Sequence, residues 1–76
     1  MKVCFTGTFK INGERVTREV LVDLATTAGH TVVPDAYYAD ILVLGDTGRH
    51  GVTRKLDRAV RAGVEVQSPD EFLSAL

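Results

Sequence analysis

The run Ile41-Leu42-Val43-Leu44 is apolar at every position. A strand with one wet face alternates apolar and polar residues, so a strand apolar throughout needs cover on both faces. That requirement points to a parallel sheet held between helices. Val3–Thr6 reads as a second buried strand, apolar through Phe5 and bounded by Gly7. Lys10–Arg15 reads as a polar loop around Asn12-Gly13. Thr17 is placed to N-cap a helix whose apolar face is Val20, Leu21, Leu24, Ala25 and Ala28, with Gly29 stopping it. Thr31-Val32-Val33 is a strand that Pro34 ends. Tyr37 and Tyr38 read as packing residues under the loop that follows. After the Gly45-Asp46-Thr47-Gly48 loop, Thr53 caps a helix carrying Leu56, Ala59 and Val60 and ended by Gly63. Val64–Val66 is the fourth strand. Ser68-Pro69-Asp70-Glu71 opens a last helix with a serine cap, a proline in its first turn and a glutamate completing the capping box. Phe72, Leu73 and Leu76 form the inner face of that helix.

The order is β-α-β-β-α-β-α. With right-handed crossovers it gives an α/β fold: a four-stranded parallel sheet, order 2-1-3-4, flanked by three helices. The chain of 76 residues is read as one domain, 1–76. A domain of this size buries only about 60% of its unfolded surface. The single cysteine, Cys4, lies in an apolar run and reads as a small core residue, and it leaves no internal disulfide. No apolar run approaches the ~20 residues of a membrane span, and no signal segment opens the chain. The expectation is a reduced cytoplasmic protein, nucleoid-associated if bacterial, with no membrane partner.

Order 2-1-3-4 reverses the direction of winding between the first and third strands. Open α/β sheets bind ligands at such a switch point, outside the carboxyl ends of the strands. Those ends are Thr6-Gly7-Thr8 and Gly45-Asp46-Thr47, and Thr53, Arg54 and Lys55 are carried to the same edge. Two hydroxyls flanking a glycine, with exposed N–H groups, suit an anion and above all a phosphate. Lys55 adds a compact charge and the start of the second helix a positive dipole end. A plainer role fits the same residues: Thr6 satisfying local backbone, Gly7 only turning the chain, Lys55 solvated. Net charge is −1, which argues against a sequence-blind polyanion binder. The cations nevertheless cluster, with Lys10, Arg15 and Arg18 in one segment and Arg49, Arg54, Lys55, Arg58 and Arg61 in another. Lys10, Arg15, Arg18, Arg49 and Arg54 could extend the patch along a DNA backbone, although a solvated helix face is an equal reading for Arg15 and Arg18. Arg58 and Arg61 read as surface.

Other chemistry finds little support. Gly45, Gly48 and Gly51 with Lys55 lack the spacing of a nucleotide phosphate loop. His30 and His50 have no second ligand at metal-site spacing, so no metal or other cofactor is expected. No serine or cysteine has a recognisable base partner, and no enzyme is expected. Strand one ends in Thr6 rather than an acid, which argues against Asp46 as a phospho-acceptor.

Phe5-Thr6-Gly7, Ala28-Gly29-His30, Ala39–Val43, Thr53–Ala59, Gly63-Val64 and Ser68–Leu73 together resemble the BRCT domain family over nearly the whole chain. The short loops look most like the single BRCT domains of bacterial NAD-dependent DNA ligases and exonuclease-type proteins. The resemblance implies a non-catalytic module of DNA repair or replication. It also implies a phosphate pocket made by a Ser/Thr-Gly pair after strand one and a T-x-K segment opening helix two. Those positions are Thr6, Gly7, Thr53 and Lys55, with Thr8 beside them. Such pockets bind the 5′-phosphate of DNA ends or phosphorylated protein segments. Two departures are visible: Phe72 stands where helix three usually carries tryptophan, and Ala28-Gly29 replaces a Gly-Gly pair. Phosphopeptide readers commonly work as tandem pairs, and one repeat is present here. The alternative expectation is a protein-interaction or homodimerisation module whose phosphate pocket is weak or vestigial.

Overall fold

The computed structural model describes residues 1–46 and 54–76. Among the described residues the elements follow in order: β1 (Lys2–Thr6), β2 (Phe9–Ile11), β3 (Glu14–Val16), α1 (Arg18–Thr27), β4 (Thr31–Val32), a 3-10 turn (Ala36–Tyr38), β5 (Ile41–Leu44), α2 (Arg54–Ala62), β6 (Glu65–Gln67) and α3 (Pro69–Ser74). Four strands form a parallel sheet in the order β4-β1-β5-β6, and three helices flank it. This is the predicted α/β class and strand order. Among the described residues no helix is long and apolar enough to cross a membrane.

Strand alternation divides the core in two. Val3, Phe5, Ile41 and Val43 point to one face, where Leu21 and Ala25 of α1, Phe72 of α3 and Phe9 cover them. Cys4 and Leu42 point to the other, where Ala36, Ala39 and Ala59 sit against them. Ile41, Leu42 and Val43 are buried accordingly, and Cys4 is a core residue. Phe5 meets Phe9 and Phe72 edge-to-face at 5.9 and 5.8 Å. Phe72 thus fills the core from α3. The Ser68 hydroxyl accepts the Glu71 N–H at 3.1 Å, as the capping sequence requires.

Several expectations are corrected. Residues 10–15 are not a loop but most of an antiparallel hairpin, β2–β3. Asn12 (φ 54°) and Gly13 (φ 80°) make its two-residue turn, the left-handed pair that suits the twist of hairpin strands. On α1 the buried residues are Leu21 and Ala25, with Val22 half-buried, whereas Val20 and Leu24 remain 47% and 43% exposed. The buried stripe is therefore rotated from the one predicted. Thr17 occupies the N-cap position, but its side chain makes no capping bond. Val60 and Leu76 are exposed: Ala59 is the buried residue of α2, and Leu76 lies beyond the end of α3 at Ser74. Tyr37 and Tyr38 are not under a loop. They are 53% and 66% exposed, because the small Ala36 and Ala39 occupy the space against the sheet. The expected roles of Thr47, Gly48, Arg49, His50 and Thr53 lie outside the described residues.

The carboxyl ends of β1 and β5 are joined by backbone alone. Gly45 N–H donates to Thr6 O at 2.9 Å, and Thr8 and Asp46 exchange both N–H···O bonds at 2.8 and 2.7 Å. This approach requires glycine at two positions. A Cβ on Gly45 would lie 2.5 Å from Thr8 O, and one on Gly7 (φ +89°) 2.9 Å from Asp46 O. Gly13 has the same kind of φ but open space around it. Gly45→Ala is expected to cost about 1–3 kcal/mol by overpacking, and Gly7→Ala at least as much. Gly13→Ala should lose only the left-handed backbone cost, about 1–2 kcal/mol. Urea midpoints of the three variants check the order; Gly13→Ala as the most damaging of the three would contradict it.

Candidate phosphate site

β1 presents its carbonyls alternately to its two neighbours. On the β4 side, Met1 O accepts Thr31 N–H and Val3 O accepts Val33 N–H, each at 2.9 Å. The next carbonyl on that side belongs to Phe5. The donor in register with it would be the Asp35 N–H, but β4 ends at Val32 and Asp35 already caps the 3-10 segment, so no strand reaches it. Two cations take its place. Arg18 Nη2 and Lys55 Nζ each donate to Phe5 O at 3.0 Å. The three residues, with Val32, Val33 and Pro34, line a cavity of about 270 Å³ at the carboxyl edge of the sheet.

The helices aim these cations. Arg18 precedes Leu21 by three residues and Val22 by four, so it shares the stripe that faces the sheet. Lys55 precedes the buried Ala59 by four residues and is half-buried on the same row. Lys55 is thus half-buried rather than simply solvated, whereas Arg18 is exposed overall and reaches Phe5 O through its guanidinium. Among the described residues the ion pairs are Arg58–Asp35 and Arg61–Asp57, so neither Arg18 nor Lys55 is matched to a carboxylate there. A guanidinium has five donors and an ammonium three, so one carbonyl uses a small part of their capacity.

The turn lies next to them. Thr6 is buried, at 6% exposure, and is engaged in an interaction of its own. Gly7 is exposed, and no described residue takes its N–H. The Thr8 N–H is held by Asp46, which leaves its hydroxyl rather than its amide for any ligand. A second cavity, also about 270 Å³, is lined by Gly7, Thr8, Phe9, Arg15, Val16, Thr17 and Arg18. Arg18 borders both cavities. Lys10 is exposed on β2 and Arg54 is exposed at the start of α2. Arg49 and Thr53 lie outside the described residues.

Arg58 stands apart. It pairs in a bidentate manner with Asp35 at 2.9 Å and lies 5.7 Å from the Tyr37 ring, which packs against Tyr38. The Tyr37 N–H and the Arg58 guanidinium hold the Asp35 carboxyl below its usual range. Sequence reasoning missed the Phe5 carbonyl and the convergence of Arg18 on it. The available signals were Pro34, which cuts β4 short, and the spacing of Arg18 from Leu21 and Val22.

Cys4 reports on this edge. Burial pushes its thiol pKa up, against the opposing charges of Lys55 and Arg18. The folded state therefore holds the proton more tightly than the unfolded chain. Its contribution to stability is complete below the ordinary thiol value of about 8.5 and is lost as pH rises beyond it. In the native protein at pH 8, Cys4 should react with an aromatic disulfide reagent only as fast as the protein opens. Immediate stoichiometric labelling would contradict this.

No protein-family model matches the chain, and no curated protein or solved structure does so either.

Proposed function

We propose that this chain is a BRCT-like, non-catalytic module that holds a phosphate group at the carboxyl edge of its sheet, and that the phosphate is the 5′-terminal phosphate of DNA. One observation carries the reading: Arg18 and Lys55 converge at 3.0 Å on a single neutral carbonyl, without carboxylate partners among the described residues. A phosphate is a far stronger acceptor for both, since charge-assisted hydrogen bonds are roughly twice as strong as neutral ones. The cations move a short way from Phe5 O onto the phosphate oxygens, and the exposed Gly7 N–H adds a donor. The resemblance adds Thr6 and Thr53 to the expected ligand set; Thr53 lies outside the described residues. DNA is favoured over a phosphopeptide because cations without carboxylate partners among the described residues, Arg15 and Lys10, continue outward from the site. A role in DNA repair or replication, inside the cell, accords with such a ligand.

The test is fluorescence anisotropy with matched duplexes bearing a 5′-phosphate or a 5′-hydroxyl, beside a phosphoserine peptide. The phosphorylated duplex should bind most tightly. Lys55→Ala and Arg18→Ala should each remove about 1.5–3 kcal/mol, the worth of a hydrogen bond to a charged group, or roughly 10–100-fold in affinity. Equal binding of the two duplexes would refute the reading.

A second reading, self-association, has an observation of its own. Val20 and Leu24 lie one turn apart on α1, and both are substantially exposed. Two copies meeting through this row would cover them. Sedimentation at increasing concentration should then show a dimer that Leu24→Asp dissolves; a strict monomer at every concentration rules this out.

A further inference from the structure

The hairpin carries a cation pair that the fold itself does not use. In the β2–β3 register Lys10 stands directly opposite Arg15. Alternation turns Phe9, Ile11 and Val16 toward the core, which places Lys10 and Arg15 together on the outer row. Both are exposed. Like charges directly opposite across a ladder repel and weaken it. Neither is matched to a carboxylate among the described residues, in contrast to Arg58 and Arg61, whose charges Asp35 and Asp57 offset. The pair is also continuous with the phosphate site. Arg15 and Arg18 line one cavity, and Arg18 and Lys55 line the next. The cations therefore follow one another as Lys55, Arg18, Arg15 and Lys10, from the edge of the sheet out along the hairpin.

A single phosphate group at Lys55 and Arg18 leaves Arg15 and Lys10 uncompensated. A ligand that repeats its phosphates along a chain does not. We propose that the outer face of the β2–β3 hairpin is a track for the phosphodiester backbone of the DNA strand whose terminal phosphate sits at Arg18 and Lys55. This inference rests on the function proposed above and adds the path of the strand. It fits the modest overall charge of −1, because the track is two residues wide and engages only the first few phosphates. Backbone contacts of this kind set position and affinity and read no sequence.

The experiment measures duplex affinity across a salt series for the unaltered protein and for a Lys10→Gln/Arg15→Gln variant, with 5′-phosphate and 5′-hydroxyl duplexes. Each neutralised phosphate contributes about 0.9 to the logarithmic salt slope on B-DNA. The variant should lose about 1.8 from that slope, while the preference for the phosphorylated end is kept. The charge-conserving swap Lys10→Arg/Arg15→Lys should keep the original slope, which separates lost charge from a damaged hairpin. An unchanged slope with the end preference intact overturns the track and leaves the end-phosphate reading standing. No end preference in the unaltered protein overturns that reading, and the track falls with it.

Discussion

Phe5 is the residue on which the two halves of this structure depend. Its ring is the junction of the larger core cluster, meeting Phe9 from the hairpin and Phe72 from α3 edge-to-face. Its carbonyl is the acceptor shared by Arg18 and Lys55. The side chain therefore fixes the strand in the core, and the backbone of the same residue fixes the cations at the rim. The packing that places the ring also places the carbonyl to within the small tolerance of a close-packed interior.

What leaves that carbonyl available is an interruption. β4 pairs with β1 as far as the Val33 N–H and then meets Pro34. Had the strand run two residues further, the Asp35 N–H would be the next in register to claim Phe5 O, and the edge of the sheet would be closed. On the other side of β1 the ladder continues to its end and runs into the Thr8–Asp46 bridge. The asymmetry between the two edges of one strand, closed toward β5 and open toward β4, gives the rim its pocket.

The sheet was legible in the sequence because its signals are local and strong. Fully apolar runs at Val3–Phe5 and Ile41–Leu44 leave little choice of strand, and Ser68-Pro69 leaves little choice of helix start. Lys55 was also legible as a cation brought to the switch point. The hairpin was signalled by Asn12-Gly13 but obscured by the polar residues around it, Lys10, Glu14 and Arg15, which suggest a loop to any reading based on hydropathy. The stripe of α1 was misjudged because Val20, Leu21, Leu24 and Ala25 offer more apolar positions than one small sheet can cover. Which of them is buried depends on the crossing of the helix over β1 and β4, a property of the packed assembly and not of the helix. That misjudged rotation also hid the reach of Arg18, which stands one turn before Leu21 and Val22 and donates to Phe5 O. The exposure of Tyr37 and Tyr38 follows from a similar competition, won by two alanines.

The hold of the Phe5 carbonyl on Arg18 and Lys55 has an entropic consequence. Long cationic side chains free in water sample many rotamers, and ordering one costs up to about 1.5–2 kcal/mol. Here two such chains are already ordered on a common acceptor. An anion arriving at the rim meets side chains whose freedom was surrendered during folding, so the ordering cost falls on the stability of a very small domain and not on the affinity of the encounter.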